Sequence, residues 1–166
     1  MPTRPARSTP PAIPLEGRLS YRCAMISTRI ARFLGPMWET RYGLGVDTWR
    51  ILAIIGRFGP LSAKEVATRS SNDAFHVSRA IERLARKKLI RRDVDPQDRR
   101  RARLALTAAG RAAHDAIEQA LTRLESELLA GLKESERETL RSALSVVDER
   151  ALALMASGLT WKDFAD

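Results

Sequence analysis

The 166-residue chain predicts a mainly α fold with a small β wing, an α+β winged helix-turn-helix flanked by helical segments on both sides. Three observations carry this expectation. A polar-started amphipathic helix opens at Ser71 and leads directly into two short alternating runs joined by a polar turn, ending at Leu106-Thr107. A short capped helix precedes it. The chain's excess of basic residues is concentrated on the same stretch.

Within the helix, Val77, Ala80, Ile81 and Leu84 fall at i, i+3, i+4 and i+7, which sets one apolar stripe against a core. Opposite that stripe lie Asn72, Phe75, Arg79, Glu82 and Arg86, with His76 and Arg83 on a flank and Ser78 on the same outer surface. Ser71, Asn72 or Asp73 can cap the first turn, and the free N–H groups there suit a phosphate. Leu89-Ile90 closes the helix. Ile90, Arg92 and Val94 then alternate with Arg91 and Asp93, as in a half-buried strand, and Asp95-Pro96-Gln97-Asp98 makes a turn. Ala102, Leu104 and Leu106 alternate with Arg101, Arg103 and Ala105, so the two runs predict an antiparallel hairpin with a basic tip.

Charge supports the same reading. Arg79 to Arg103 holds eleven Lys plus Arg and four Asp plus Glu, a net of +7 within a chain total of +9. From Thr107 onward seven basic residues face eleven acidic ones, so the basicity is placed and is not a property of the whole surface.

The remaining elements follow in order. Residues 1–15 contain five of the eight prolines together with Arg4 and Arg7, which predicts a disordered basic arm, either a solvated tail or an added minor-groove contact. Leu19 to about Tyr42 is helical, with Gly35-Pro36 as an expected kink and Gly43-Leu44-Gly45 as the break. Asp47 is expected to cap a compact helix that turns Trp49, Leu52, Ala53 and Ile55 inward. Ser62-Ala63-Lys64-Glu65 has capping-box spacing and opens a short helix ending near Ser70, which with the Ser71 helix makes the helix-turn-helix. Thr107 can cap the next helix, with Ile117, Leu121, Leu124 and Leu128 on one face and Gly131 at its end. A second capping box at Ser135-Glu136-Arg137-Glu138 is expected to start a helix bearing Leu140, Leu144, Val147 and Ala151.

Several function classes are disfavoured. The single cysteine, Cys23, rules out an internal disulfide framework and fits a reducing compartment. The longest apolar run, Ile51 to Ile55, is too short to span a bilayer, so a cytoplasmic protein with no membrane partner is expected. Common catalytic, metal-binding and P-loop signatures do not occur, and neither an enzyme nor a cofactor or metal site is expected.

The ordered set Trp49-Arg50-Ile51-Leu52, Gly59-Pro60-Leu61-Ser62, Val77-Ser78-Arg79-Ala80-Ile81, Leu89-Ile90-Arg91-Arg92, Asp98-Arg99-Arg100 and Leu106-Thr107-Ala108-Ala109-Gly110 resembles the MarR family of winged helix-turn-helix regulators. The resemblance runs from about residue 17 to 155. It implies a dimerisation helix over 16–45, a DNA-binding lobe over 46–106 and dimerisation helices over 107–166, hence a homodimeric, effector-responsive repressor on double-stranded DNA. A nonspecific architectural nucleic-acid-binding protein is the alternative, although little aromatic interleaving surrounds the wing.

For base reading Phe75 and Arg79 come first, since Arg grips guanine bidentately and an aromatic ring meets a thymine methyl. Arg83, Arg86, Lys87 and Lys88 suit phosphates, with Asn72, His76 and Ser78 as further DNA-facing candidates. Asp98 and Arg100 match the family's Asp-x-Arg at the wing tip, where a carboxylate orders a guanidinium for the minor groove, flanked by Arg99 and Arg101. The family usually places Gly where this chain has Lys88, a position strained for Lys if its φ is positive. Trp38, Tyr42, Trp49 and Arg50 are candidates for a pocket taking a small aromatic or phenolic effector, with Arg50 as carboxylate partner. Cys23 is a candidate redox sensor, as in the peroxide-sensing branch of the family, though the tyrosines expected beside it are missing. His114 is expected to be simply exposed.

Overall fold

The computed structural model describes residues 13–70, 72–94 and 102–164. The arm up to residue 12 and the wing turn carrying Asp98, Arg99, Arg100 and Arg101 lie outside the described residues. The elements run α1 (Leu19–Tyr42), α2 (Val46–Phe58), α3 (Ala63–Ser70), α4 (Ala74–Arg86), β1 (Ile90–Val94), β2 (Ala102–Leu106), α5 (Ala108–Leu128) and α6 (Glu134–Ala156). They form two compact units that part between Ala120 and Leu121, within α5.

In the first unit α1 continues through Pro36 and stops at Gly43, whose φ of 62° is the left-handed conformation that glycine adopts without a Cβ penalty. The cap of α2 is Gly45 and not Asp47; Asp47 sits inside the first turn, where its charge still complements the helix dipole. The inward face of α2 is Thr48, Ile51, Leu52 and Ile55, whereas Trp49 and Ala53 are only partly covered. That stripe is rotated from the expected one because α3, α4 and β2 all pack on α2.

Ser62 opens α3 as the capping-box spacing predicts: its N–H donates to Glu65 Oε2 at 2.7 Å, and the Glu65 N–H returns to Ser62 Oγ at 3.3 Å. For α4 the cap is Asp73, whose carboxylate accepts from the His76 N–H at 2.9 Å. Val77, Ala80, Ile81 and Leu84 are buried, as their spacing requires. The helix ends at Arg86, ahead of Leu89-Ile90, in a Schellman motif: Leu89 N–H bonds Leu84 O at 3.0 Å and Lys88 N–H bonds Ala85 O at 2.9 Å. Lys88 occupies the left-handed position with φ 56°.

The two strands pair antiparallel with Ile90 opposite Leu106, Arg92 opposite Leu104 and Val94 opposite Ala102. Leu61 adds a short bridge to Leu104 on the other side. The expected alternation holds only in part. Val94 is 65% exposed, while Leu104, Ala105 and Leu106 are all buried. The base of β2 is flanked by α2 and α3, so both its faces are covered, and the outer halves of the strands project beyond the helices.

Thr107 ties the hairpin to α5. Its hydroxyl donates to Lys88 O at 2.7 Å and accepts from the Gly110 N–H at 3.0 Å. A Cβ at Gly110 would collide with Leu89 O, so only glycine permits this approach of helix to strand.

In the second unit, α6 is capped at Lys133 and not at Ser135; the Lys133 N–H donates to Glu136 Oε2 at 2.8 Å, so the capping box starts two residues earlier than expected. No residue of α6 is buried: Leu140, Leu144 and Val147 are 40%, 44% and 41% exposed. Among the described residues no helix is long and apolar enough to cross a membrane.

Candidate nucleic-acid interface

The outer face of α4 is built by the same spacing that buries its inner face. Phe75, His76, Ser78, Arg79, Glu82, Arg83 and Arg86 are all exposed. Phe75, 65% exposed, has the Arg79 guanidinium over its ring at 5.7 Å and the His76 ring edge-on at 6.0 Å. An aromatic left in water under a cation presents one flat apolar surface and one planar set of donors side by side. Arg86 lies 4.0 Å from Glu82 one turn away, an exposed pair too loose to hold the guanidinium from another partner.

Asn72 is exposed but precedes α4; it belongs to the turn of the helix-turn-helix and not to the helical face on which the sequence periodicity places it. The reason is the Asp73 cap, which starts the helix one residue later. His76 Nδ1 stands 2.6 Å from Asp73 Oδ2. The backbone N–H of His76, then its ring, hold the Asp73 carboxyl below the usual carboxylate range.

The wing is joined to the helix-turn-helix by a contact that the sequence pattern does not reveal. Arg103 Nη1, on β2, donates to Glu65 Oε2 on α3 at 2.7 Å. The same carboxylate accepts the Ser62 hydroxyl at 2.7 Å and the Ser62 N–H. These two Ser62 bonds, and then the Arg103 charge, bring the Glu65 carboxyl from 4.5 down to about 2. Arg91 is likewise committed, bonding Asp93 at 2.8 Å and Leu106 O at 3.2 Å.

The four effector candidates do not line one cavity. Trp38 is 1% exposed and stacks on Trp49 with ring centroids 5.0 Å apart and planes at 30°, so this pair is core packing between α1 and α2. Trp49 Nε1 is buried without a partner among the described residues. Tyr42 lines none of the clefts described, and its ring carries Arg41 at 5.7 Å. Arg50 faces a cleft of about 450 Å³ between α1 and α2, where Nη2 donates to Ser27 Oγ at 2.9 Å and Arg32 also contributes, whereas Trp38 lines a separate cleft of about 340 Å³ with Arg32 and Glu39.

Cys23 is exposed on α1. His114 departs from expectation: its side chain is 13% exposed, it rests where a Cβ on Gly56 would collide with it, and its Nδ1 meets Asp115 Oδ1 at 2.8 Å. Among the described residues no group of His, Cys, Asp and Glu is arranged to hold a metal.

Comparison with known proteins places this geometry. A profile of the MarR family matches residues 46–102, the segment from α2 to the start of β2. A putative transcriptional regulatory protein for the hcr operon of Thauera aromatica is 34% identical over 126 residues, 76% of each chain. Among solved structures, a probable transcriptional regulator from Pseudomonas aeruginosa is 28% identical with a TM-score of 0.66, covering 81% of this chain and 99% of that one. The S. aureus MepR–DNA complex is 25% identical with a TM-score of 0.71, covering 82% and 98%. With a curated relative of this identity and coverage, and with helix-turn-helix and wing in place, the chain belongs to the MarR family of winged helix-turn-helix transcriptional regulators.

Proposed function

We propose that the protein is a homodimeric repressor that reads a pseudopalindromic operator with α4 and grips the flanking DNA with its wing. The observation that carries this reading is the outer face of α4, where Phe75 and Arg79 stand exposed beside a row of cations on a helix whose other face is fully packed. On such a helix in the major groove, Arg79 reads guanine and Phe75 meets a thymine methyl. Arg83, Arg86, Ser78 and His76 reach phosphates, and Asn72 meets the backbone at the helix entrance. Asp98 to Arg101 serve the minor groove. The MepR structure is a complex with DNA, which supports the same role for this chain.

Dimerisation is supported by apolar side chains left in water. Ile26 and Phe33 on α1 are 51% and 72% exposed, and the row on α6 lies equally open. A second copy covering such rows recovers their burial energy, at about 25 cal/mol per Å² of apolar area. Two recognition helices would then lie about 34 Å, or roughly 10 bp, apart. A small aromatic acid in the α1–α2 cleft, its carboxylate on Arg50 and Arg32, is the effector this reading favours; it acts by preferring a lobe spacing unsuited to DNA.

The test is fluorescence anisotropy with the DNA upstream of the protein's own gene against scrambled DNA over a range of salt. A preference of about 10³ or more at physiological salt is expected. Equal affinity for both, vanishing together as salt rises, would leave only the phosphate term and favour the architectural alternative.

A further inference from the structure

The start of α4 holds a carboxylate and an imidazole fixed to one another. Asp73 caps the helix, and its Oδ1 accepts the His76 backbone N–H at 2.9 Å. That bond aims the other carboxylate oxygen at the side chain of the same residue, so that Oδ2 stands 2.6 Å from His76 Nδ1. The Phe75 ring meets the imidazole edge-on from a second direction. Both partners are more than half exposed, and the charge energy of such a pair is screened by water. What the geometry fixes is the position of a hydrogen.

An ionised carboxylate can only accept, and the backbone N–H and then the ring of His76 hold the Asp73 carboxyl in that form. Nδ1 therefore carries a hydrogen whether the ring is neutral or charged. The consequence falls on Nε2, which has no partner among the described residues. In the neutral ring it is a bare lone pair, and in the imidazolium it is a charged donor. DNA shows a helix in its major groove mostly acceptors: purine N7, guanine O6, thymine O4 and the phosphate oxygens. A neutral His76 meets these lone pair to lone pair.

Besides Asp73, the ring shares its cleft with Asp47 of α2 and with Arg79 and Arg83 of its own helix. Carboxylates and guanidiniums keep their charges through neutral pH, whereas histidine is the side chain that changes its own there. The proton on His76 is thus the charge of this group that varies near neutrality.

We propose that Asp73 and His76 form a proton gate on recognition: with Nδ1–H committed to Asp73, only a charged His76 donates from Nε2 to an acceptor of DNA, so affinity rises as pH falls through neutrality and is lost as pH rises. The acceptor is a purine N7 or a phosphate oxygen. The gate rests on the DNA-binding reading, whereas the fixed tautomer does not.

The first arm of the test needs no DNA. Long-range ¹H–¹⁵N spectra of the labelled full chain, recorded well above neutral pH, distinguish a protonated ring nitrogen from a bare one. His76, assigned by its loss in His76→Gln, is expected to carry its hydrogen on Nδ1. Asp73→Asn keeps a capping side chain but turns an amide N–H toward Nδ1, and is expected to move the hydrogen to Nε2. A wild-type His76 protonated on Nε2 overturns the proposal.

The second arm is anisotropy at constant ionic strength with the upstream fragment and with scrambled DNA, at about pH 6 and about pH 8, the range in which histidine titrates. The wild type is expected to bind about threefold or more tighter at the lower pH, one proton taken up per recognition helix. His76→Gln, whose amide donates at any pH, is expected to lose the difference. Asp73→Asn is expected to raise affinity at the higher pH toward that at the lower, because the neutral ring then donates from Nε2. A difference confined to the upstream fragment assigns the acceptor to a base, and one shared by scrambled DNA assigns it to a phosphate. Equal affinity at both pH values, or a difference that persists in His76→Gln, which retains His114, overturns the gate and leaves DNA binding standing. A wild type that binds no DNA at either pH removes the regulatory reading and the gate with it.

Discussion

Replacing Lys88 by glycine tests whether the recognition helix ends in a conformation its own residue resists. Lys88 has φ 56°, and the bonds on either side of it, Lys88 N–H to Ala85 O and Leu89 N–H to Leu84 O, hold it there. Leu84 and Leu89 are 0% and 7% exposed, so the hydrophobic contact of the Schellman motif is in place and the turn cannot relax cheaply. A side chain with a Cβ pays about 1–2 kcal/mol in this region. Glycine avoids that cost but gains roughly 0.4–1 kcal/mol of unfolded-state freedom. The net expectation for Lys88→Gly is a stabilisation of about 0.5–1 kcal/mol, or about 1–4 °C in Tm for a chain of this size. Chemical and thermal denaturation at one fixed protein concentration read it, since self-association of the kind proposed would make Tm concentration-dependent. Lys88→Ala controls for the lost side chain and charge, keeps the Cβ, and is expected to gain nothing. Equal stability of the glycine and alanine variants would refute the reasoning, because the Cβ would then not be the source of strain.

Gly110→Ala places a Cβ against the Leu89 carbonyl, both parts of rigid elements, and should cost about 1–3 kcal/mol or more, read as a lower urea midpoint. Glu65, lowered from 4.5 to about 2, contributes stability that is present above pH 4.5 and lost as pH falls through about 2. Glu65→Gln should therefore flatten the fall of stability with acid across that window, and an unchanged acid profile would show that the Ser62–Glu65–Arg103 cluster is not formed in solution. Arg79→Ala should relax base preference at one position of each half-site by about 1–3 kcal/mol, whereas Arg86→Ala should weaken all sequences alike and lower the salt slope by about one. Competition anisotropy with single-base operator variants separates the two; identical profiles would deny Arg79 its reading role.

Local rules carried much of the fold. The limits of α1, the Ser62 capping box, the buried stripe of α4 and the Thr107 cap all depend on residues within a few positions of one another, and each stands where its spacing places it. Local rules failed where two signals competed within a turn: Gly45 displaced Asp47 as a cap, Lys133 displaced Ser135, and Asp73 left Asn72 outside the helix. The exposed face of α4 was readable because its periodicity is the complement of the buried one.

What the sequence alone determined is therefore the class of the molecule: a winged helix-turn-helix with its charge gathered on one helix and one hairpin. What only the tertiary structure decided are the meetings between distant residues. The Glu65–Arg103 pair spans 38 positions, His114 settles against Gly56, and Trp38 stacks into the core beside Trp49. Periodicity says which face of a helix turns inward. Which residue of another element it meets there is set by how the helices cross, and that is a property of the packed chain.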